Sequence, residues 1–208
     1  MPTERGRRPP IRRLTYPATV SPESINLPDQ TLSPLGEGAM ARVYRAEHPR
    51  FGQIAIKVLR HASEDAWRRL QREASAQARL NHPNILRIFG FGSFEGQPAI
   101  LMQRIDGRPL DVVAAELPLE ARIDLLLTVC DAVEHAHATG LIHRDLKPGN
   151  VLVEERDGRL HPFVLDFGLV HDTAACSLTG AGELLGTPAY MSPEQARGDA
   201  RHVDRRSD

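Results

Sequence analysis

The chain has 208 residues, 41% of them hydrophobic and 25% charged, proportions that suit a soluble globular protein and exclude a fibrous or wholly disordered one. A formal net charge of −1 provides no bulk attraction to nucleic acid or an anionic membrane. The two cysteines, Cys130 and Cys176, are too few for a disulfide framework and lack metal-ligand spacing.

Residues 1–30 hold six prolines and five arginines without sustained periodicity, which predicts a disordered, solvated arm. No apolar core follows its positive charges, and no stretch approaches the roughly 20 apolar residues needed to span a bilayer. A cytoplasmic location is therefore expected. Ordered structure is expected to begin near Leu35-Gly36-Glu37-Gly38-Ala39, between two strands. Glycines there let backbone N–H groups approach a polyphosphate, although a lone G-x-G is a weak signal because ordinary hairpins also contain it.

The run Ile54 to Leu59 reads as a strand whose single charge, Lys57, stands among apolar neighbours. An unpaired ammonium there is costly, so Lys57 calls for a phosphate ligand and a carboxylate partner. Ser63 to Leu80 has a plausible cap, acidic residues in its first turn and a stop at His82-Pro83, which predicts a helix. Its stripe Ala66, Leu70, Glu73 and Gln77 turns Glu73 inward. Residues 84–103 read as two strands around Glu95-Gly96-Gln97. Pro118 to Thr139 reads as an amphipathic helix with the stripe Leu119, Ile123, Leu126, Leu127, Cys130 and Val133, closed by Gly140. Cys130 is expected to pack, and His135 and His137 to pack or complement the helix dipole.

The stretch from His143 to Asn150 organises the rest. Asp145 can accept a hydroxyl proton, Lys147 can neutralise charge on a moving phosphoryl group, and Asn150 with Asp166 offers oxygen ligands to Mg²⁺. A hairpin signal at Asp157-Gly158 brings Asn150 and Asp166 to one end. The segment from Asp166 to Glu194 is rich in Gly, Thr, Ala and Ser and holds the candidate phosphoacceptors Thr173, Ser177 and Thr179. A polar loop of no function would explain each residue singly, but not the ordered set.

That set resembles the eukaryotic-like protein kinases, specifically the serine/threonine group that bacteria also carry, from about Leu32 to the last residue. The resemblance implies an α+β, two-lobed fold, with a small lobe of antiparallel strands and one helix over residues 31–103. A larger, mainly helical lobe, incomplete in this chain, occupies 104–208. It implies ATP and Mg²⁺ as cofactors, protein substrates and self-phosphorylation. No nucleic acid partner and no membrane segment are expected. By position it assigns nucleotide contacts to Leu35, Gly36, Glu37, Gly38, Ala39, Val43, Ala55, Lys57, Glu73, Gln103, Ile105 and Leu152, with a Lys57–Glu73 ion pair.

The resemblance makes Asp145 and Lys147 catalytic, and Asn150 and Asp166 metal ligands. It pairs Arg144 with a phosphate on the loop, aided by Arg69 and His171, with Thr179 the foremost acceptor. Lys147 and Thr187 fit the serine/threonine-specific pattern. Ala41 departs from the usual third glycine, Ser192 from the usual alanine before Pro193-Glu194, and Gln77 from an apolar residue in an inward stack with Ile88, His143 and Phe167. The family's helices beyond Asp208 are absent from the chain, so part of the 118–139 helix is expected to lack its cover. A catalytically impaired fragment or a nucleotide-binding interaction module is the alternative function.

Overall fold

In the computed structural model, residues 32–38, 41–60, 64–167, 188–199 and 201–208 are described. The expected arm at 1–30, Ala39 in the glycine loop and the stretch 168–187 lie outside them. Strands β1 (Ser33–Glu37), β2 (Ala41–His48), β3 (Gly52–Leu59), β4 (Ile88–Phe94) and β5 (Gln97–Gln103) form an antiparallel sheet in the order β1-β2-β3-β5-β4. The central strand β3 is buried continuously from Ile54 to Val58, because both its faces are covered.

Alternation along β3 separates two environments. Ile54, Ile56 and Val58 join Phe51, Phe89 and Leu101 in one cluster, where the Phe51 and Phe89 rings stack at 4.4 Å. Ala55 packs instead with Leu86 and Met102, on the face that also carries Lys57. Helix α1 (Glu64–Gln77) covers Ile88 and Ile100 with Ala74, and Trp67 meets Phe91 edge-on. It is a turn shorter than the expected span to Leu80, consistent with the stop at His82-Pro83; Ser63 is outside the described residues.

Segment 84–86 stitches this sheet to a second one. Leu86 N donates to Val164 O at 2.9 Å and Val164 N to Asn84 O at 2.8 Å, while Asn84 Nδ2 donates to Pro162 O at 2.8 Å. The second sheet runs β6-β7-β8, from β6 (Arg108–Pro109), β7 (Val151–Arg156) and β8 (Arg159–Val164). Asp157 and Gly158 take φ of 51° and 69°, the left-handed pair that a tight two-residue hairpin requires. A short helix α2 (Leu110–Ala115), not foreseen from the sequence, follows β6. At Gly107 a Cβ would stand 2.8 Å from Val153 O, so only glycine admits this approach.

Helix α3 (Leu119–Ala138) is capped by Thr139, with Gly140 at φ 81°. Its buried residues are Leu125, Val129, Ala132, Val133 and Ala136, packed in the cluster that includes Val151, Val164 and Phe167. The expected stripe is corrected: of its members only Val133 is buried, while Leu119, Ile123, Leu126 and Leu127 are exposed. Cys130 is exposed too, contrary to its expected packing role. The helix is apolar on more than one face, and the face carrying small Ala132 and Ala136 is the one that approaches the sheet. Among the described residues, no helix is long and apolar enough to cross a membrane.

Candidate functional site

Two strands and one loop set the site. From β3, Lys57 reaches Asp166, with Nζ 2.7 Å from Oδ2; the lysine is 8% exposed, so its charge has the carboxylate partner its burial demands. The expected partner Glu73 has its side chain outside the described ones. Asp166 lies two residues beyond the end of β8, at φ 44°, a left-handed conformation uncommon for a residue other than glycine.

The 143–150 loop places Asp145 beside Lys147 and Asn150. Lys147 Nζ stands 2.9 Å from Asp145 Oδ2. Asn150 Nδ2 donates to the Asp145 carbonyl at 2.7 Å and to its Oδ2 at 2.8 Å. Leu165 N donates to Asn150 O at 2.9 Å, which ties this trio to the residue preceding Asp166. The backbone therefore links Asp145, Lys147 and Asn150 to the Lys57–Asp166 pair.

His143 is the hub beneath them. It is fully buried, its ring 4.7 Å from that of Phe167. Nε2 lies 2.7 Å from Leu165 O, an acceptor, so Nε2 carries the proton. Nδ1 then accepts from Asp145 N at 3.2 Å. Burial holds the imidazole below its ordinary pKa of 6.5 against the opposing pull of the Leu165 carbonyl and of Asp208, Asp166 and Asp145, and the neutral ring is the form both bonds require.

Asp208, which sequence reasoning did not mark as a site residue, supports the same loop. Its buried carboxylate accepts from His143 N at 2.7 Å and Arg144 N at 2.6 Å, and His137 Nε2 lies 2.7 Å from Oδ2. His137 thus has a specific partner rather than a general packing role. An aspartate in a charged stretch carries no local signal of this, because its partners are more than sixty residues away.

Around the Lys57 face of the sheet, Val43, Ala55, Met102 and Ile105 share a cluster with Leu86 and Leu165. Gln103 N donates to Arg87 O at 2.9 Å, and Leu152 pairs with Pro109 and Phe163 across its sheet. Leu35, Gly36 and Glu37 lie on β1, and Gly38 N closes the turn onto Ala41 O at 2.9 Å. Glu37 pairs with Arg42 at 3.2 Å and also with Arg60. Arg144 Nε is buried without a hydrogen-bond partner among the described residues. His171, Thr173, Ser177, Thr179 and Thr187 lie outside the described residues, as does the Arg69 side chain. Glu194 is held below the usual carboxylate range chiefly by a hydrogen bond from the Ser207 hydroxyl.

The donor set suits a hard cation. Asp166 Oδ1 is buried and has no hydrogen-bond partner among the described residues, and the Asn150 amide nitrogen is engaged by Asp145, which leaves the amide oxygen as its ligand atom. Among the described residues no cluster of three His, Cys, Asp or Glu side chains forms a metal cage. One carboxylate and one carboxamide match Mg²⁺, which takes few protein ligands and completes its shell with phosphate and water oxygens.

A protein kinase domain model matches residues 30–208. The chain is 43% identical over 189 residues to serine/threonine-protein kinase pkn3 of Myxococcus xanthus, covering 84% of this chain and 34% of that protein. It is 42% identical over 172 residues to a probable serine/threonine-protein kinase PknB of Lactococcus lactis, covering 79% and 27%. It therefore spans about a third or less of these relatives' length. Among solved structures, the PknI kinase domain of Mycobacterium tuberculosis superposes with a TM-score of 0.68 at 32% identity, covering 91% of this chain and 73% of that one. Rad53 in complex with AMP-PNP superposes at 0.62 and 30% identity, covering 82% and 43%.

Proposed function

The chain belongs to the protein kinase domain family, and from that membership we propose that it transfers the γ-phosphoryl group of ATP to serine or threonine hydroxyls of proteins, itself included. The observation that carries this is the union of the Lys57–Asp166 pair with Asp145, Lys147 and Asn150 through the Leu165 backbone. Asp145 orients the acceptor hydroxyl and takes its proton. Lys147, 2.9 Å from that carboxylate, keeps it oriented and neutralises charge on the transferred group. Lys57 steadies Asp166 and contacts the nucleotide phosphates, and Val43, Ala55, Met102 and Ile105 provide the apolar wall for the base. Asp166 Oδ1 and the Asn150 amide oxygen would hold Mg²⁺, which when bound supplies charge neutralisation at the phosphates. The rest of catalysis is positioning.

Control by phosphorylation of the 168–187 stretch belongs to the same proposal. The Nε of Arg144, buried and without a hydrogen-bond partner among the described residues, supports a guanidinium that would take an anion, and a phosphate on Thr179, or on Thr173 or Ser177, would supply one. The test is incorporation of radiolabelled phosphate from ATP by this chain, by its Asp145→Asn variant and by a version extended through a complete larger lobe. Labelling that depends on Asp145 supports the proposal. Equal labelling with and without Asp145 refutes transfer through that residue, and no labelling of any form refutes the activity.

A further inference from the structure

The geometry points to Gln195 as a positioning residue for Asp145, joining the 188–199 segment to the 143–150 loop; this rests on the phosphotransferase reading above. Arg144, immediately before Asp145, sits at φ 69°, a conformation that side-chain-bearing residues leave unless held. Its N–H donates to Asp208 Oδ1 at 2.6 Å. The peptide plane that follows, which sets the direction of Asp145, is gripped at both ends. Its N–H, that of Asp145, donates to His143 Nδ1 at 3.2 Å, and its carbonyl, that of Arg144, accepts from Gln195 Nε2 at 2.5 Å.

Gln195 is suited to this by the other end of its amide. In the capping box of the short helix α4 (Pro193–Ala196), Gln195 Oε1 accepts from Ser192 N at 3.0 Å, and Ser192 Oγ accepts from Gln195 N at 3.4 Å. With its oxygen committed to an N–H, the amide can present only its nitrogen to the Arg144 carbonyl. A glutamate would complete the capping box equally well, but would set a carboxylate oxygen against that carbonyl. The glutamine is therefore required by the loop and not by the helix. Residues 188–199 follow Thr187, which the kinase resemblance ties to acceptor choice, so movement there would reach Asp145 through one side chain.

Q195E and Q195A separate the two roles. Amide hydrogen exchange should rise at residues 144–146 in both, while residues 193–197 keep their protection in Q195E and lose it in Q195A. In phosphorylation assays, Q195E should lower kcat by about tenfold with KM for ATP unchanged, because a misdirected Asp145 weakens the transfer step and leaves nucleotide binding intact. Unchanged exchange at 144–146 in Q195E, or unchanged kcat in an active chain, would overturn the inference. If the unsubstituted chain incorporates no phosphate, the functional proposal falls, while the exchange comparison still decides whether Gln195 holds the loop.

Discussion

Replacing Gln77 by leucine tests how the inner face of α1 is balanced. Gln77 is 1% exposed. Its Nε2 donates to Leu86 O at 3.2 Å, while its Oε1 is buried with no partner among the described residues. An unsatisfied buried acceptor costs about 1–3 kcal/mol, and a neutral hydrogen bond returns about 1 kcal/mol. Leucine removes the first cost but leaves the buried Leu86 carbonyl without that donor, so the two roughly offset, and the gain comes from burying an apolar side chain in place of an amide. The net expectation is a gain of about 1 kcal/mol, or about 2–4 °C in Tm for a chain of this size. Thermal melts followed by circular dichroism would read it, with Gln77→Ala as the control that leaves a void and lowers Tm. Because α1 carries Glu73, a gain of this size would also favour the packed position of the helix by about fivefold, raising transfer in the labelling assay. A Tm for Gln77→Leu at or below that of the unsubstituted chain would show that Oε1 is satisfied after all and refute the reasoning.

Four further outcomes follow from the site. Lys57→Met strips Asp166 of its ammonium and should reduce kcat/KM for ATP by about 100-fold, measured by steady-state phosphorylation. Asp208→Asn keeps one acceptor oxygen where three donors converge, so urea titration should show a loss of about 1–3 kcal/mol and exchange should rise at residues 143–144. Thr179→Ala should abolish any activation that follows preincubation with ATP, and full activation in that variant would remove Thr179 from its proposed role. Stability should also fall on acidification. His143, held below 6.5 mainly by burial, and His82, held below it by burial and then by His135, are neutral in the folded chain. The unfolded chain therefore binds protons first as pH drops below about 6.5, and folding free energy declines through that window. Denaturation series at pH 7.5, 6.0 and 5.0 should show this slope, and His143→Tyr should flatten it.

The sequence made legible those features whose cause is local. Asp157-Gly158 marks a hairpin because two successive residues must take positive φ, and that hairpin sets the Asn150 backbone beside Leu165, the residue before Asp166. Lys57 stood out because a charge in an apolar strand needs a partner, although the described partner is Asp166 and the side chain expected there, Glu73, lies outside the described ones. The buried face of α3 was misjudged because helical periodicity locates apolar stripes but cannot say which one a sheet will cover. Helix α2 is too short for a periodic signature. Asp208 and Gln195 left no trace, since each acts through hydrogen bonds to backbone groups 51 to 65 residues away.

Those distant bonds explain how a loop with an unfavourable backbone can hold charged groups in place. Arg144 and Asp166 both occupy left-handed conformations, and neither is glycine, so local preference works against the arrangement. Opposing it are His143, bonded to Leu165 O and Asp145 N, Asp208, bonded to the two N–H groups of residues 143 and 144, and Gln195 on the Arg144 carbonyl. Each contact fixes a peptide plane rather than a catalytic side chain. Asp145 and Asp166 therefore inherit their directions from the backbone, and loss of any one of the three holders should appear first as a misdirected carboxylate and only afterwards as an unfolded loop.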